Sequence, residues 1–316
     1  MKKIKEIAMS NNEEVELILR LSDVNIKKTT SGDDYASMIG FDGVDKIEAK
    51  IWSFTPEMKE TLVSGEVYKV NARTKQYQNR VQINILSLEQ VKETEDCDLS
   101  IFYETAKISS EELAKKINSY FLKIENTILK TIVSKILKKH FDDFFNYPAA
   151  VSMHHNYFSG LAYHTYSMLK LSDAYLELYP FINKDLVYAG IILHDLGKIV
   201  ELSGPKGTEY TKKGKLLGHI TLGANEVYNT SLELGVEDSE EVVNLMHIIL
   251  SHHGQLEYGS PKEPATPEAV LIHFLDYNDS RLASLEPEIN KVNKGEYTQP
   301  ILTFDRRIFY IPNVEK

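Results

Sequence analysis

Cysteine is almost missing from this chain of 316 residues, in which Cys97 stands alone. One cysteine excludes a disulfide within the chain and a zinc site made of several thiolates, and it is typical of a reducing compartment. Apolar runs of about 18 or more residues are also missing, so no transmembrane helix is predicted. The N-terminal residues lack the apolar core of a signal peptide. These absences together predict a cytoplasmic protein that has no membrane partner.

A basic excess is missing as well, because the net charge is −10. The first 92 residues contain 14 basic and 14 acidic side chains, so the acidic excess belongs to the rest of the chain. A protein that binds duplex DNA by neutralising phosphates normally presents a broad basic surface. The charge distribution therefore disfavours double-stranded DNA. It allows a single strand, which stacking and a few local cations can hold.

Residues 12–92 alternate apolar and polar side chains over short runs that turn residues separate, which is typical of β-strands. The predicted strands are 13–21, 33–41, 47–52, 67–72 and 81–85, with a short helix at 55–62 and a polar loop at 74–80. Five short strands with one helix between the third and the fourth predict a small closed barrel.

The order of these segments resembles the nucleic-acid-binding type of OB-fold. The resemblance rests on residues 35–39, the turn Asp42-Gly43, and residues 47–52, 65–68 and 81–85. It implies that residues 1–92 form a nucleic-acid-binding domain. The candidate contacts are aromatic residues for base stacking and polar or basic residues for the backbone: Trp52, Phe54, Tyr68, Tyr77, Lys75, Asn79 and Arg80. A different small barrel, used for interaction or dimerisation, is the alternative.

The remainder of the chain is predicted to be helical. Residues 93–110 are polar and acidic, which predicts a linker. From Glu111 apolar residues recur every three or four positions as far as about residue 285, which is the helical period. The tail at 299–311 contains two apolar runs and is predicted to form a short strand or a packed extension. The predicted fold is therefore multidomain, with a five-stranded β-barrel followed by an all-α domain over residues 111–316.

Several histidines and aspartates occupy helix positions that face this predicted core. His164 and Asp276 each share a helical stripe with apolar residues one or two turns away. His194-Asp195 ends a run that is apolar on nearly every side, with Gly197 predicted to end the helix, and His252-His253 ends another apolar stripe. A buried imidazole or carboxylate is costly unless it is paired or binds a metal. A lone histidine is usually structural, but convergence on metal ions explains these four sites together.

Imidazole and carboxylate ligands without thiolate suit Mn²⁺, Fe²⁺, Zn²⁺, Co²⁺ or Mg²⁺, of which Mn²⁺ is the first candidate. Two such ions can activate water and stabilise the leaving oxygen of a phosphoester. An aspartate is a suitable bridge between two ions, because each of its oxygens can bind one. The expected cofactor is therefore a pair of divalent metal ions.

In chain order, these residues resemble the metal-binding signature of the HD superfamily of metal-dependent phosphohydrolases: His164, His194-Asp195, His219, His252-His253 and Asp276. The resemblance covers residues 150–285. Several segments are more narrowly similar to the YhaM-type 3′→5′ exoribonucleases, which join an OB-fold to an HD domain; they include residues 153–155, 160–165, 192–198, 217–220, 249–254 and 257–261. This resemblance implies a single-stranded RNA substrate, with single-stranded DNA as a second one, and attack from the 3′ end.

The resemblance also implies roles for individual residues. One metal is expected on His164, His194, Asp195 and Asp276, and a second on Asp195, His219 and one or both of His252 and His253. Asp195 and Lys198 are the expected catalytic residues, with the Lys198 ammonium opposite the scissile phosphate. His154 and His155 are candidates for phosphate contacts, whereas His140, His247 and His273 are expected to be structural.

Two other functions are compatible with the sequence. An HD phosphohydrolase could act on a small nucleotide, with the barrel used for regulation or assembly. The chain could instead be a non-catalytic single-strand-binding protein that has a structural metal. Binding of a single-stranded oligomer by residues 1–95 alone discriminates the nuclease from the small-nucleotide enzyme. A homo-oligomer is compatible with each of these functions.

Overall fold

The fold is described from a computed structural model that covers residues 2–29, 32–52, 54–77, 80–91, 99–150, 157–206 and 208–314. The chain divides into two compact units. The first unit is Met1–Glu104 with Lys206–Thr208, and the second is Thr105–Pro205 with Glu209–Lys316.

Five strands and one short helix make up most of the first unit: β1 (Glu14–Lys28), β2 (Asp34–Phe41), β3 (Lys46–Ile51), α1 (Pro56–Thr61), β4 (Val67–Tyr77) and β5 (Arg80–Gln90). The strands form a closed barrel in the order β1-β2-β3-β5-β4. Neighbouring strands are antiparallel except β3 and β5, which are parallel. The predicted five-stranded barrel is therefore confirmed, including the helix between its third and fourth strands.

The alternating pattern of the sequence determines which side chains fill the barrel. In β1, Val15, Leu17, Leu19 and Leu21 are buried, and the residues between them are exposed or half-buried. Successive side chains of a strand point to opposite faces, so this pattern places one face inside the barrel. In the closed order, each described strand pairs with a neighbour on both sides.

The predicted polar loop at 74–80 is wrong for most of its length. β4 continues through Tyr77, and β5 begins at Arg80. The segment is polar but it alternates: the Thr74 side chain is buried and accepts a hydrogen bond from the Glu13 amide, whereas Lys75 is exposed. A buried hydroxyl with a partner can replace an apolar residue inside a strand, so hydrophobicity alone underestimates the strand length.

Nine helices of the second unit follow one another in the described residues: α2 (Ser110–Leu122), α3 (Thr127–Lys139), α4 (Phe141–Asn146), α5 (Gly160–Leu178), α6 (Lys184–Leu193), α7 (Lys198–Glu201), α8 (Lys212–Leu234), α9 (Glu240–Ser251) and α10 (Pro267–Ile289). Most begin at side-chain caps, as where Ser109 and Thr211 accept backbone hydrogen bonds. Their apolar faces form one continuous core. No helix among the described residues has the length and apolar composition that a membrane span needs.

Helix α6 lies in the centre of this core, and seven of its last eight residues are apolar or glycine. Gly190 permits the close packing, because a Cβ there would lie 2.6 Å from the Ile272 side chain and 2.9 Å from that of Ile248. The chain immediately after α6 is therefore held firmly at the middle of the unit. This is the position of His194 and Asp195.

The predicted linker and the predicted tail both contain short ordered segments among the described residues. In the predicted linker, residues 99–110 are described, and there Leu99–Phe102 is a 3₁₀ helix and Tyr103 donates a hydrogen bond to the Gly65 carbonyl. The predicted packed tail is present: Leu302–Phe304 forms a 3₁₀ turn, and Ser284 Oγ lies 3.1 Å from Thr303 Oγ1.

Candidate metal centre

Five helices of the second unit place histidines and aspartates around one point. Those on or directly after a helix are His164 on α5, His194 and Asp195 after α6, His219 on α8, His252 and His253 after α9, and Asp276 on α10. His164, His194 and His252 are fully buried, and Asp195 is nearly so. The inward positions that the apolar stripes predict are therefore observed.

The first group consists of His164, His194 and Asp276, whose ligand atoms lie within 4.8 Å of one another. The His164 Nε2 atom is 3.3 Å from the Nε2 atom of His194 and 3.3 Å from Oδ1 of Asp276. The second group consists of His219, His252 and His253, which meet the same criterion. The structure thus brings both histidines of the 252–253 pair into the second group.

Asp195 lies between the two groups. Its Oδ2 atom is 3.3 Å from His194 Nε2 and 3.7 Å from His164 Nε2. Its Oδ1 atom is 3.5 Å from His219 Nε2 and 3.7 Å from His252 Nε2. Each carboxylate oxygen therefore faces a different histidine group, which is the arrangement of a bridging ligand.

Three buried atoms at this point have no hydrogen-bond partner among the described residues: Asp195 Oδ1, His219 Nε2 and His252 Nε2. Leaving such atoms unsatisfied in a dry interior is costly. All three face the space between Asp195 and the second group, and each is an atom type that ligates divalent metals. The residues present therefore fit a metal ion in this group, and the first group offers two imidazoles and a carboxylate.

The other ring nitrogen of each histidine is held in place. Nδ1 of His194, His252 and His253 lies 2.7–2.8 Å from a backbone carbonyl oxygen. Nδ1 of His164 is 2.6 Å from Asp279 Oδ2, and Nδ1 of His219 is 3.1 Å from Glu201 Oε2. Such contacts hold a proton on Nδ1 of each ring, so Nε2 is the nitrogen that would bind a metal.

Asp279 and Glu201 each contact a histidine of the centre, and sequence reasoning gave neither residue a role. Asp279 is three residues after Asp276 on α10, so both point to the same side of the helix. That spacing was a usable signal. Glu201 gave none, because only the tertiary structure brings its carboxylate to the His219 ring.

The match to known proteins agrees with this geometry. Residues 161–280 match the HD domain family. HD domains bind divalent metal ions, and this domain implies metal-dependent phosphohydrolase activity. The matched residues include every metal-binding candidate from His164 to Asp276.

The match to solved structures carries less information. A crystal structure described as an aspartyl-tRNA synthetase from Leishmania major Friedlin is 13% identical to this chain, with a TM-score of 0.22. The match covers 52% of this chain and 39% of that one, so this chain spans about two fifths of that protein.

Lys198 of the HD domain does not extend into solvent. Its side chain is 12% exposed, and its Nζ atom lies 2.6 Å from Asp195 Oδ2. Burial alone would lower the pKa of Lys198, but the Asp195 carboxylate outweighs burial and raises that pKa above its ordinary value. The ammonium therefore stays charged and neutralises the Asp195 carboxylate. Its predicted place opposite a scissile phosphate remains a proposal.

The pKa values of two buried histidines at the centre, His252 and His164, shift in opposite directions. Burial lowers the pKa of His252 well below its ordinary value, so this ring is neutral, as a metal ligand must be. Burial would also lower the pKa of His164, but Asp276 and Asp279 outweigh burial and raise it to about 10.

One side of the centre opens into a cleft of about 490 Å³ in the HD domain. Its lining includes the metal-centre residues His219, His253 and Asp276. Further lining residues are aromatic or charged: Tyr210, Tyr258, Tyr277, Lys198, Glu201 and Arg281. The three tyrosines are each about half exposed, and sequence reasoning gave them no role. The centre is thus accessible from a cleft whose wall offers rings and cations.

The prediction that Gly197 ends a helix does not explain why this residue is a glycine. Its φ is −59°, which any residue adopts. A Cβ at this position would lie 2.0 Å from the His219 carbonyl oxygen and 2.7 Å from the Gly223 amide nitrogen. Gly197 is therefore required because α7 and α8 approach closely, and that approach positions His219.

We expect Gly197→Ala to destabilise the protein by about 3 kcal/mol, because backbone atoms cannot yield to the added methyl group. Metal affinity should fall with it, since His219 must move. Gly235→Ala is the matched control: it costs about 1 kcal/mol for its positive φ, but nothing lies within 4 Å of the new Cβ. Thermal unfolding and Mn²⁺ titration measure both effects. Equal behaviour of the two variants would contradict this role of Gly197.

The remaining histidines differ in what the structure shows of their predicted roles. His154 and His155 lie outside the described residues. His140 bonds Glu226, and His247 accepts a hydrogen bond from the Ala265 amide, so both have structural partners. His273 Nδ1 lies 3.0 Å from the His252 carbonyl oxygen, and its ring lines the cleft.

On the barrel, Trp52 is 46% exposed and stacks on Tyr35, with ring centroids 5.0 Å apart and planes at 22°. Trp52 Nε1 donates to Asn84 Oδ1 at 3.1 Å, and the Lys50 ammonium lies 5.5 Å from the Trp52 ring centroid. The pair is therefore a fixed aromatic surface next to a cation. Sequence reasoning named Trp52 but missed Tyr35, which lies across from it on β2.

Only some of the other barrel residues that were predicted to contact nucleic acid are exposed enough to do so. The prediction for Tyr68 is wrong: its ring is buried and its hydroxyl bonds the backbone of Val63 and Thr61, so it cannot stack on a base. Tyr77 is 53% exposed, Lys75 is exposed, and Phe54 is half-buried against the barrel core. Asn79 and the Arg80 side chain lie outside what the structure describes.

Proposed function

We propose that this protein is a metal-dependent 3′→5′ exoribonuclease that hydrolyses the phosphodiester bonds of single-stranded RNA, with single-stranded DNA as a second substrate. The observation that carries the proposal is Asp195, whose two oxygens face two separate histidine groups at the end of an open cleft. Phosphodiester hydrolysis is a reaction for which paired divalent ions are suited.

Under this proposal, the residues of the centre have different roles in holding the metal ions. His164, His194 and Asp276 would hold one ion, His219 with His252 or His253 would hold the other, and Asp195 would bind both. Bound there, divalent ions supply an activated water and neutralise charge on the leaving oxygen. Lys198 keeps the Asp195 carboxylate ionised, because burial alone would raise the pKa of Asp195 whereas Lys198 and His194 hold it well below its ordinary value.

Two surfaces support a single-stranded nucleic acid as the substrate. The Tyr35–Trp52 stack on the barrel offers an exposed ring face, and base stacking on aromatic residues is tolerant of sequence. The cleft of the HD domain adds Tyr210, Tyr258 and Tyr277. Few cations accompany these rings, which suits a single strand better than a duplex.

The direct experiment is incubation of the protein with Mn²⁺ and an end-labelled single-stranded RNA. We expect the labelled strand to shorten to mononucleotides, with no shortening when a chelator is present. If the protein hydrolyses a chromogenic phosphodiester but leaves the RNA intact, the small-nucleotide enzyme replaces this proposal. If neither substrate reacts with any divalent metal, a binding protein with a structural metal replaces it.

Polarity gives a second expected result. RNA blocked at its 3′ terminus should resist degradation, and RNA blocked at its 5′ terminus should be degraded at the rate of the free strand. Gel analysis of the two labelled substrates and a circular RNA of the same sequence measures this. Equal decay of both blocked strands, or decay of the circle, contradicts exonucleolytic attack from the 3′ end.

A further inference from the structure

Helix α10 presents one face to the cleft of the HD domain. The lining residues from this helix are His273, Asp276, Tyr277, Ser280 and Arg281. They follow His273 by three, four, seven and eight residues, which places all five on one side of the helix. Asp276 belongs to the centre, so the residues after it lie progressively further along the cleft.

Arg281 is held on this side of the helix by two aromatic rings. Its guanidinium carbon lies 5.0 Å from the centroid of the Tyr277 ring and 5.3 Å from that of Phe304. Rings on a guanidinium fix its plane and leave its edge, with the N–H donors, available. The side chain is therefore oriented before any ligand binds.

The donors of Arg281 are not fully used. Its Nη1 atom is buried and has no hydrogen-bond partner among the described residues. Among the residues that the structure describes, no carboxylate forms an ion pair with the Arg281 guanidinium. A buried guanidinium donor without an acceptor is costly, and a bound anion removes the cost.

The other charged residues of the cleft wall already have partners. Lys198 pairs with Asp195, and Glu201 pairs with His219. The remaining lining carboxylate, Asp276, lies 3.3 Å from His164. Of the described lining residues, Arg281 is consequently the cation that remains for an anionic group of a substrate.

The position of Arg281 limits which group that is. Arg281 follows Asp276 by five residues, so its Cα lies about 7.5 Å further along the helix axis. Asp276 contacts the metal centre, where the scissile phosphate must bind. A group at Arg281 is therefore a neighbouring anion of the same strand.

We propose that Arg281 binds the phosphate on the 5′ side of the scissile linkage, through its guanidinium edge. This inference rests on the proposed function, because only an oligonucleotide cleaved from its 3′ end has that phosphate as its nearest neighbour. It assigns to the cleft a preference for substrates with at least two phosphates. The geometry of a guanidinium matches two phosphate oxygens at once.

Arg281 also contacts the tail through Phe304, so its loss needs a control for folding. The tail has an independent contact to α10 through Ser284 Oγ and Thr303 Oγ1, 3.1 Å apart. Arg281→Met keeps the apolar stem between the rings and removes the donors. Arg306→Gln removes an exposed charge from the same unit and serves as the matched control.

The test compares the dinucleotide ApA with 5′-phosphorylated ApA, both containing a phosphorothioate linkage that slows hydrolysis. Titration calorimetry on the Mn²⁺-loaded protein measures both affinities. We expect the native protein and Arg306→Gln to bind the phosphorylated form about tenfold to hundredfold more tightly, as charge-assisted hydrogen bonds allow. In Arg281→Met this preference should vanish while the affinity for ApA stays unchanged.

Three results would overturn the inference: no preference in the native protein, an unchanged preference in Arg281→Met, or equal weakening of both dinucleotides in that variant. The last result would assign Arg281 to packing alone. Because the binding measurement needs no turnover, a failure of the Arg281 inference can be distinguished from a failure of the proposed exonuclease activity. A protein that binds both dinucleotides as predicted but leaves RNA intact would disprove the exonuclease and leave the Arg281 site standing.

Discussion

Asp195→Asn is expected to lower the rate of phosphodiester hydrolysis by far more than about 100-fold. Loss of a residue that only supports a metal ligand costs about 10–100-fold. The amide keeps the shape of the carboxylate but has a single acceptor oxygen and no charge, so it cannot bridge two ions. Bound metal should fall from two ions per chain to one or none. Hydrolysis of a chromogenic diester with Mn²⁺ and elemental analysis of the purified protein measure the two effects.

Glu201→Gln provides the matched comparison, because Glu201 contacts Nδ1 of His219 and belongs to neither group of candidate ligands. Its loss should cost about 10–100-fold in activity or metal affinity, well short of the Asp195→Asn effect. Both variants should keep the helical circular dichroism of the native protein. Two ions and native activity in Asp195→Asn would remove the bridging role from this residue.

The second large effect is expected on the barrel. Replacing Tyr35 and Trp52 together by alanine should weaken binding of long single-stranded RNA about tenfold to hundredfold, because stacking is worth about 1–3 kcal/mol per base. Hydrolysis of a chromogenic diester should be unchanged, since the metal ligands all belong to the other unit. Fluorescence anisotropy with a labelled RNA measures the affinity.

Phe181→Ala serves as the control for this double variant, because it removes an exposed ring from the helical unit. It should leave both activities at the native level. If the barrel variant binds long RNA as well as the native protein does, the strand must be held elsewhere, and Tyr77 becomes the next candidate. Loss of diester hydrolysis along with RNA binding would instead indicate that the barrel pair is structural.

The sequence predicted the barrel and the metal-centre residues for the same physical reason. A strand or helix that packs against a core must repeat apolar residues with its own period, so a polar residue at an inward position stands out. His164 and Asp276 interrupt apolar stripes, and His194-Asp195 follows α6, which is apolar over most of its length. Burial was therefore predictable from local pattern, and the residue types then indicated metal binding.

What the pattern could not predict depends on contacts between distant segments. Gly197 is compatible with a helix end in sequence, and only the approach of His219 shows why it is glycine. Lys198 could equally have been solvated, but it folds back on Asp195. Tyr68 lies in β4 and Trp52 directly follows β3, and alternation did not determine which of the two rings faces the barrel core.

Anomalous diffraction from crystals soaked in Mn²⁺ tests, without depending on a substrate, whether Asp195 binds two divalent ions. We expect two manganese peaks per chain, one in contact with Nε2 of His164 and His194 and the other with Nε2 of His219. Each peak should contact a different oxygen of Asp195. A single peak, or two peaks of which neither contacts Asp195, would contradict this expectation.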